Sequence, residues 1–459
     1  MLEELRILSP TAILGYGFPL ASFEKGMAKK PHVIAMDAGS TDPGPYYLGS
    51  GISFTDNRAV KRDLEIMIPA AQEAKIPLII GSAGGAGGKS HVDLTLGLIR
   101  EIIQEKQLSA LKIAIINSEI SPVFLLKAYR EGKIHPLNAD NKVTETLIKE
   151  SSAIVGQMGE GPFIEALNHH ADIILAGRAY DPSVFAALAI KEGFDKGLAL
   201  HLGKILECAA IAALPGSGSD SMLGILRKDH FDVEPLAENR VCTTLSVAAH
   251  TLYEKSDPYH LPGPGGELDL TACEFKQLDA RRVRVSGTKF IPTKKYFIKL
   301  EGARKIGYRT IAIAGVTDPI MIANIDSILI GVKERVFDNF QDSNFQEFYL
   351  NFNVYGKNGI ALLPEISSDQ VLPDEIGIVI EAVAATEEEA SAICSFARST
   401  ALHFGYEGRI STAGNLAFPF SPSDANMGEV YEFSIYHLLE VESEVALFPI
   451  QYVIIGEME

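Results

Sequence analysis

Residues able to move protons or hold charge gather in a few short stretches. "DAGSTDPGPYYLGSG" at 37–51 carries Asp37, Ser40, Thr41 and Asp42 in a Gly/Pro-rich loop. "INSE" supplies Asn117, Ser118 and Glu119, and "GRAYDPS" supplies Arg178, Tyr180 and Asp181. Carboxylates beside a cleft suit general acid–base work, and Asp37 or Asp42 is the expected base. Arg178 suits a bidentate grip on a substrate carboxylate, unless Asp181 takes it as an ion pair. Asx-turn chemistry explains Asp and Ser in such loops without any ligand. In "KLEGARKIGYR" at 299–309, strand periodicity sends half the charges outward. Tyr308 and Arg309 follow Gly307 and are the pair expected to touch the site, with Tyr308 as acid or hydrogen-bond donor.

The stretch "IIGSAGGAGGKSH" at 79–91 reads as strand, glycine loop and helix. A phosphate-binding P-loop needs G-x-x-x-x-G-K-[ST]; Gly88, Lys89 and Ser90 fit, but Ala83 stands where the first glycine belongs. The dinucleotide fingerprint also fails, because "GYGFPL" at 15–20 has only its first two glycines. A broader reading survives: successive backbone N–H groups at Gly84, Gly85, Gly87 and Gly88, in the loop 81–88 ahead of a helix N-terminus, make a cradle for a carboxylate or phosphate. The alternative is a tight strand-to-helix crossing that needs glycine for conformation alone.

Metal chemistry has one weak candidate. His250 and Glu254 lie four apart in "HTLYEKSDPYH" and share a face if that stretch is helical. An ordinary helix-surface pair is the plainer account. Cys208, Cys242, Cys273 and Cys394 are scattered without a C-x-x-C pair, which argues against a disulfide framework and a thiolate zinc site. No cofactor is required by these residues.

The elements that must position these groups follow a repeated pattern up to about residue 200. Short β-branched strands are expected at 11–17, 32–39, 76–85, 111–119, 152–159 and 171–178, each followed by a glycine-containing loop and an amphipathic helix. Such alternation predicts an α/β fold: a mostly parallel, doubly wound, Rossmann-like sheet over 1–202, with ligands at the carboxyl ends of its strands. A Pro/Gly-punctuated second lobe is expected over 203–365, and a C-terminal α+β domain of ferredoxin-like kind over 374–459. In the last, Thr386 caps a helix and Glu389 completes the capping box.

Composition narrows the function classes. The 459 residues are 47% hydrophobic and 22% charged, an ordinary globular balance. With 41 Lys plus Arg against 59 Asp plus Glu, the net charge of −18 disfavours nucleic acid as a partner. No apolar run approaches the roughly 20 residues that span a bilayer, and "MLEELRILSP" lacks an export pattern, so a cytoplasmic chain without a membrane partner is expected. A homo-oligomer, by default a two-fold dimer, is the expectation for an enzyme of this size.

Several long patterns in the same order, "DAGSTDPGPYYLG", "GSAGGAGG", "LAGRAYDPS", "GKILEC", "HTLYEKSDPYHLPGPGG" and "KLEGARKIGYR", resemble the acyclic terpene utilisation protein AtuA family. The resemblance runs from about residue 11 to about 330 and continues into the C-terminal unit, where family members look similar to a ferredoxin-like domain. It implies a catabolic setting that degrades branched terpenes through acyl-CoA intermediates. The implied activity is hydration, dehydration or isomerisation of a small branched carboxylate or acyl-CoA, that is, a lyase or isomerase. No catalytic residue carries over from the family. On the residues themselves, Asp37, Asp42, Arg178, Asp181 and Tyr308 are the catalytic candidates. Gly81, Ser82, Gly84, Gly85, Thr41, Asn117, Glu119 and Arg309 are the candidates for substrate binding. A ligand-binding or scaffold subunit working with a genomic neighbour, and a nucleotide-dependent enzyme using the loop 81–90, are the alternatives.

Overall fold

The computed structural model describes residues 2–137, 142–253, 257–341, 347–360, 372–410 and 413–456. By internal packing the chain divides into two compact units: Met1–Arg304 with Phe433–Glu459, and Lys305–Glu432. Both boundaries fall inside long strands, Tyr296–Val316 and Asp424–Val441.

In the first unit, the centre of the main sheet is five parallel strands: β1 (Leu5–Ser9), β2 (Val33–Asp37), β3 (Leu78–Gly81), β4 (Leu111–Ile116) and β5 (Ile173–Ala176). Their order across the sheet is β1-β2-β3-β5-β4. Antiparallel strands extend it on both sides, with Met222–Leu226 beside β1 and Ile450–Ile455 beside β4. The continuous apolar runs of β2 and β3 are buried throughout, as helices on both faces require. Helices α1 (Asn57–Ala74) and α2 (Lys89–Glu105) bury Val60, Leu64, Val92 and Ile99 in one core. Helices α3 (Asp181–Lys191) and α4 (Lys196–Leu206) bury Val184, Phe185, Leu198 and Leu202 in the other. Among the described residues, no helix is long and apolar enough to cross a membrane.

This order creates a switch point. From β3 the chain runs through α2 to β4, two places along, and later returns to insert β5 between them. Since α2 and α3 lie on opposite faces, the chain leaves the carboxyl ends of β3 and β5 toward opposite sides of the sheet. Register keeps those ends level: Asp37 pairs with Gly81, and the Ser82 N–H donates to the Gly177 carbonyl at 3.0 Å.

Two of the six expected strands behave differently. The stretch 11–17 is a loop, and the strand is the preceding Leu5–Ser9. Gly15 and Gly17 take positive φ there and donate to Asp63 Oδ2 at 2.9 and 3.1 Å, so an apolar run that reads as a strand is tied back onto α1. The strand Ala153–Gly156 forms, but outside the parallel sheet: it pairs antiparallel with Leu300–Ala303. Periodicity marks a strand without choosing its partner.

The second unit runs strand, helix, strand, strand, helix, strand. Its main helices are Ile325–Phe340 and Glu387–His403, and two of its strands are Tyr349–Tyr355 and Ile376–Ala384. Its strand order places Ile376–Ala384 between Tyr349–Tyr355 and the Tyr296–Val316 strand, with Asp424–Val441 on the far side of the latter. Thr386 caps its helix and Glu389 closes the capping box, as the sequence predicts.

Candidate functional site

The carboxyl ends of β3 and β5 carry a buried ionic cluster centred on Arg178. β5 ends at Ala176, and the chain turns through Gly177 so that Arg178 lies beneath the glycine loop with only 3% of its surface exposed. Its Nε donates to Glu301 Oε2 at 2.8 Å; its Nη1 donates to Asp181 Oδ1 at 2.7 Å, to Ser82 Oγ at 3.1 Å and to the Ala179 carbonyl at 2.6 Å. Glu301 is fully buried, and its second oxygen meets Lys299 Nζ at 2.8 Å. Lys299 in turn donates to the Tyr436 hydroxyl at 2.5 Å.

The sequence builds this arrangement locally. Gly87, at φ +70°, passes so close to the Arg178 backbone that a Cβ there would lie 2.1 Å from the Arg178 nitrogen. No side chain fits. Ser118 stitches the same contact, accepting the Arg178 N–H at 2.7 Å and donating to the Gly87 carbonyl at 2.7 Å. Ser82 is buried with φ +47°, a strained position for a residue with a side chain. That backbone places Ser82 Oγ to accept from both Arg178 and the Ala179 N–H.

Asp37 closes β2 at the same level. Its Oδ2 accepts the Gly39 N–H at 3.0 Å, while Oδ1 is buried and has no hydrogen-bond partner among the described residues. Burial first, and then the nearby charge of Asp181, push the Asp37 carboxyl well above the usual carboxylate range, against the pull of Arg178. Burial also raises Asp181, despite its bond to Arg178. Glu301 goes the other way: burial works to raise it, but Arg178 and Lys299 outweigh burial and hold it at about 2. Three carboxylates therefore face two cations, and the two held above the ordinary range are Asp37 and Asp181. The Asp181 side chain, 26% exposed, is the member that solvent reaches.

The glycine loop is turned inward. The Gly85 and Gly87 N–H groups donate to the Ser82 and Ala83 carbonyls at 2.8 and 3.0 Å. The Gly88 N–H donates to His91 Nδ1 at 3.0 Å, and the Lys89 N–H to Glu119 Oε1 at 2.8 Å. His91 Nε2 lies 2.9 Å from the Ile52 carbonyl, which assigns the proton to Nε2 and leaves Nδ1 free to accept. Burial lowers the His91 pKa and keeps that ring neutral. Glu119 thus occupies the start of α2, where a bound phosphate would have to sit, and the Lys89 ammonium is paired with Asp93.

Among the residues singled out from sequence, Asp37, Ser82, Arg178 and Asp181 converge, with Gly81 at the level of Asp37 and Gly84 and Gly85 in the adjoining loop. Thr41 is buried nearby in sequence, whereas Asp42 is exposed and donates its N–H to Ser40 Oγ at 3.1 Å. Asn117 is half-buried at the end of β4. Tyr308 and Arg309 belong to the second unit, where the Tyr308 hydroxyl accepts from Lys305 at 2.8 Å and Arg309 pairs with Glu381 at 2.5 Å. His250 is buried in the helix Thr244–Leu252; Glu254 lies outside the described residues. Among the described residues, no group of three or more His, Cys, Asp or Glu is arranged to hold a metal ion.

Sequence reasoning passed over His91, named Ser118 only as one member of "INSE" and left Glu301 among the charges of 299–309. The one available signal for Glu301 was a lone acid between Leu300 and Gly302, in a strand whose inward positions are apolar. Two clefts of about 540 Å³ lie elsewhere: one at the amino ends of the strands against Pro77 and Asp172, the other between Phe124 and Glu440.

No curated protein and no solved structure matches the chain. The sequence model described as acyclic terpene utilisation family protein AtuA matches residues 56–215 and 233–417, which take in the glycine loop, Arg178, Asp181 and Glu301. The chain therefore belongs to the AtuA family of acyclic terpene utilisation proteins.

Proposed function

We propose that this chain is a catabolic enzyme that moves protons on a small branched carboxylate or acyl-CoA, by hydration, dehydration or isomerisation. The observation that carries the proposal is the buried Asp37 carboxyl, with one oxygen unpartnered among the described residues, near Asp181 on Arg178 at the switch point of the sheet. Two carboxyl groups that resist ionising together hold a proton more tightly than free carboxyls do, which is a property an acid–base catalyst needs. Asp181, the exposed member, meets the substrate; Asp37 behind it stores the proton. Arg178 acts as a positioning residue, since its Nε and Nη1 are engaged by Glu301, Ser82, Ala179 and Asp181. Family membership in terpene utilisation supports the catabolic setting. The strand and helix order of Lys305–Glu432 supports a ferredoxin-like reading of that unit.

The test follows the ultraviolet absorbance of an enoyl thioester while the purified chain is given branched hydroxyacyl-CoA or its enoyl counterpart. Turnover is expected from the chain alone, and Asp181→Asn is expected to lower it by about 100-fold or more. Undiminished turnover in both Asp181→Asn and Asp37→Asn rules out the pair. Binding without turnover points to a ligand-carrying or scaffold subunit instead.

A further inference from the structure

The donors that an anionic substrate group would use are largely spent inside the cluster. Arg178 Nε and Nη1 are committed to Glu301, Ser82, Ala179 and Asp181. The Gly85, Gly87, Gly88 and Lys89 N–H groups serve Ser82, Ala83, His91 and Glu119. The two aspartates keep acceptor capacity. Asp37 Oδ1 is unpartnered among the described residues, on a side chain at least nine-tenths buried, and Asp181 reaches solvent. A buried oxygen left without a partner is costly, and a ligand or water donor relieves that cost.

Charge selects the kind of donor. Asp37, Asp181 and Glu301 against Arg178 and Lys299 become neutral once the aspartate pair keeps one proton. An uncharged donor preserves that balance; an ammonium would disturb it. A second carboxylate brought to the pair would be repelled by Asp181.

We propose that the Asp37–Asp181 pair receives the hydroxyl group of a hydroxy-substituted substrate, whose carboxylate or thioester end lies outside this cluster. The inference rests on the acid–base reading above and names the group on which it acts. In the dehydrating direction the pair's proton passes to the hydroxyl oxygen, and the C–O bond breaks with its electrons leaving on water. The C–H bond on the neighbouring carbon, acidified by the carbonyl, breaks to form the C=C bond and returns its proton to the pair. The pair ends with one proton, and nothing is oxidised or reduced.

Three isosteric probes separate the possibilities: β-hydroxyisovalerate, tert-butylacetate, in which a methyl replaces the hydroxyl, and β-aminoisovalerate. Binding is measured calorimetrically, and the infrared band of the protonated carboxyl is followed near neutral pH, assigned by its loss in Asp37→Asn and Asp181→Asn. β-Hydroxyisovalerate is expected to bind about tenfold more tightly than tert-butylacetate, the worth of one hydrogen bond to a charged group. It is also expected to shift the band, with the tenfold preference lost in Asp181→Asn. Equal binding of hydroxy and methyl probes, tighter binding of the amine, or response to none of the three overturns the inference. Absence of any protonated carboxyl band that the two variants remove overturns the acid–base reading itself.

Discussion

Two buried acid clusters in the first unit share a burial and differ in what surrounds them. Around Arg178, three carboxylates meet two cations and one member of the aspartate pair reaches solvent. Around Glu444, the carboxylate is locked onto backbone instead. One oxygen accepts the Gly159 N–H and the other accepts the Gly161 N–H at 3.1 Å, capping the helix Gly161–Asn168, while neighbouring Glu160 pairs with Lys196. Burial, and then the charge of Glu160, push Glu444 up to about 7, despite those hydrogen bonds. A raised carboxyl is thus not in itself a catalyst. At Glu444 both oxygens are used to hold the C-terminal segment, whereas at Asp37 an oxygen is left over and its partner Asp181 is open to solvent.

The widest test of this contrast removes the shared cation. Arg178→Ala leaves Glu301 with Lys299 alone and Asp181 without its partner, and is expected to cost about 3–5 kcal/mol in urea unfolding. Arg178→Lys should recover less than half of that, because one ammonium cannot serve Glu301 and Asp181 in a fork. A cost below about 1 kcal/mol would mean that the cluster is solvated and that the contrast with Glu444 is false.

Glu444→Gln gives a smaller effect that appears through pH. The carboxyl has an ordinary value of 4.5 and rises to about 7 on folding, so the folded state holds the proton more tightly. Its contribution to stability is complete below about 4.5 and is lost as pH rises through about 7. Unfolding profiles of the natural chain should fall by ~3 kcal/mol more than those of Glu444→Gln across that window. Parallel profiles would show that Glu444 ionises normally.

Lys89→Ala is the smallest step. The exposed Lys89–Asp93 pair stands beside the glycine loop yet outside both clusters, and its loss is expected to change stability by no more than about 0.5 kcal/mol. If magnesium-ATP raises the melting temperature of the natural chain and not of this variant, the inward-turned loop opens to phosphate, and Glu119 must leave the start of α2.

Much of the scaffold was legible beforehand because it depends on local pattern. Continuous β-branched runs marked β2 to β5, the glycine loop between β3 and α2 was placed correctly, and Thr386 with Glu389 announced a helix start. The stretch 11–17 misled because its glycines, at positive φ, serve a turn that binds Asp63, a partner 46 and 48 residues away. The Arg178–Asp181 pair could be suspected from a spacing of three, and the bend between β5 and the first residue of α3 brings the two together.

Spacing along the chain and the period of apolar residues determined the strand-loop-helix units and put Asp37, Ser82 and Arg178 at strand ends, since those features depend on backbone sterics and burial within a few residues. Only the tertiary structure decided which donors were already spent. Glu301 reaches Arg178 across 123 residues, and Glu119 reaches the Lys89 N–H across 30. A charged group's availability depends on every neighbour that the fold brings within hydrogen-bonding distance, and no local pattern encodes that set.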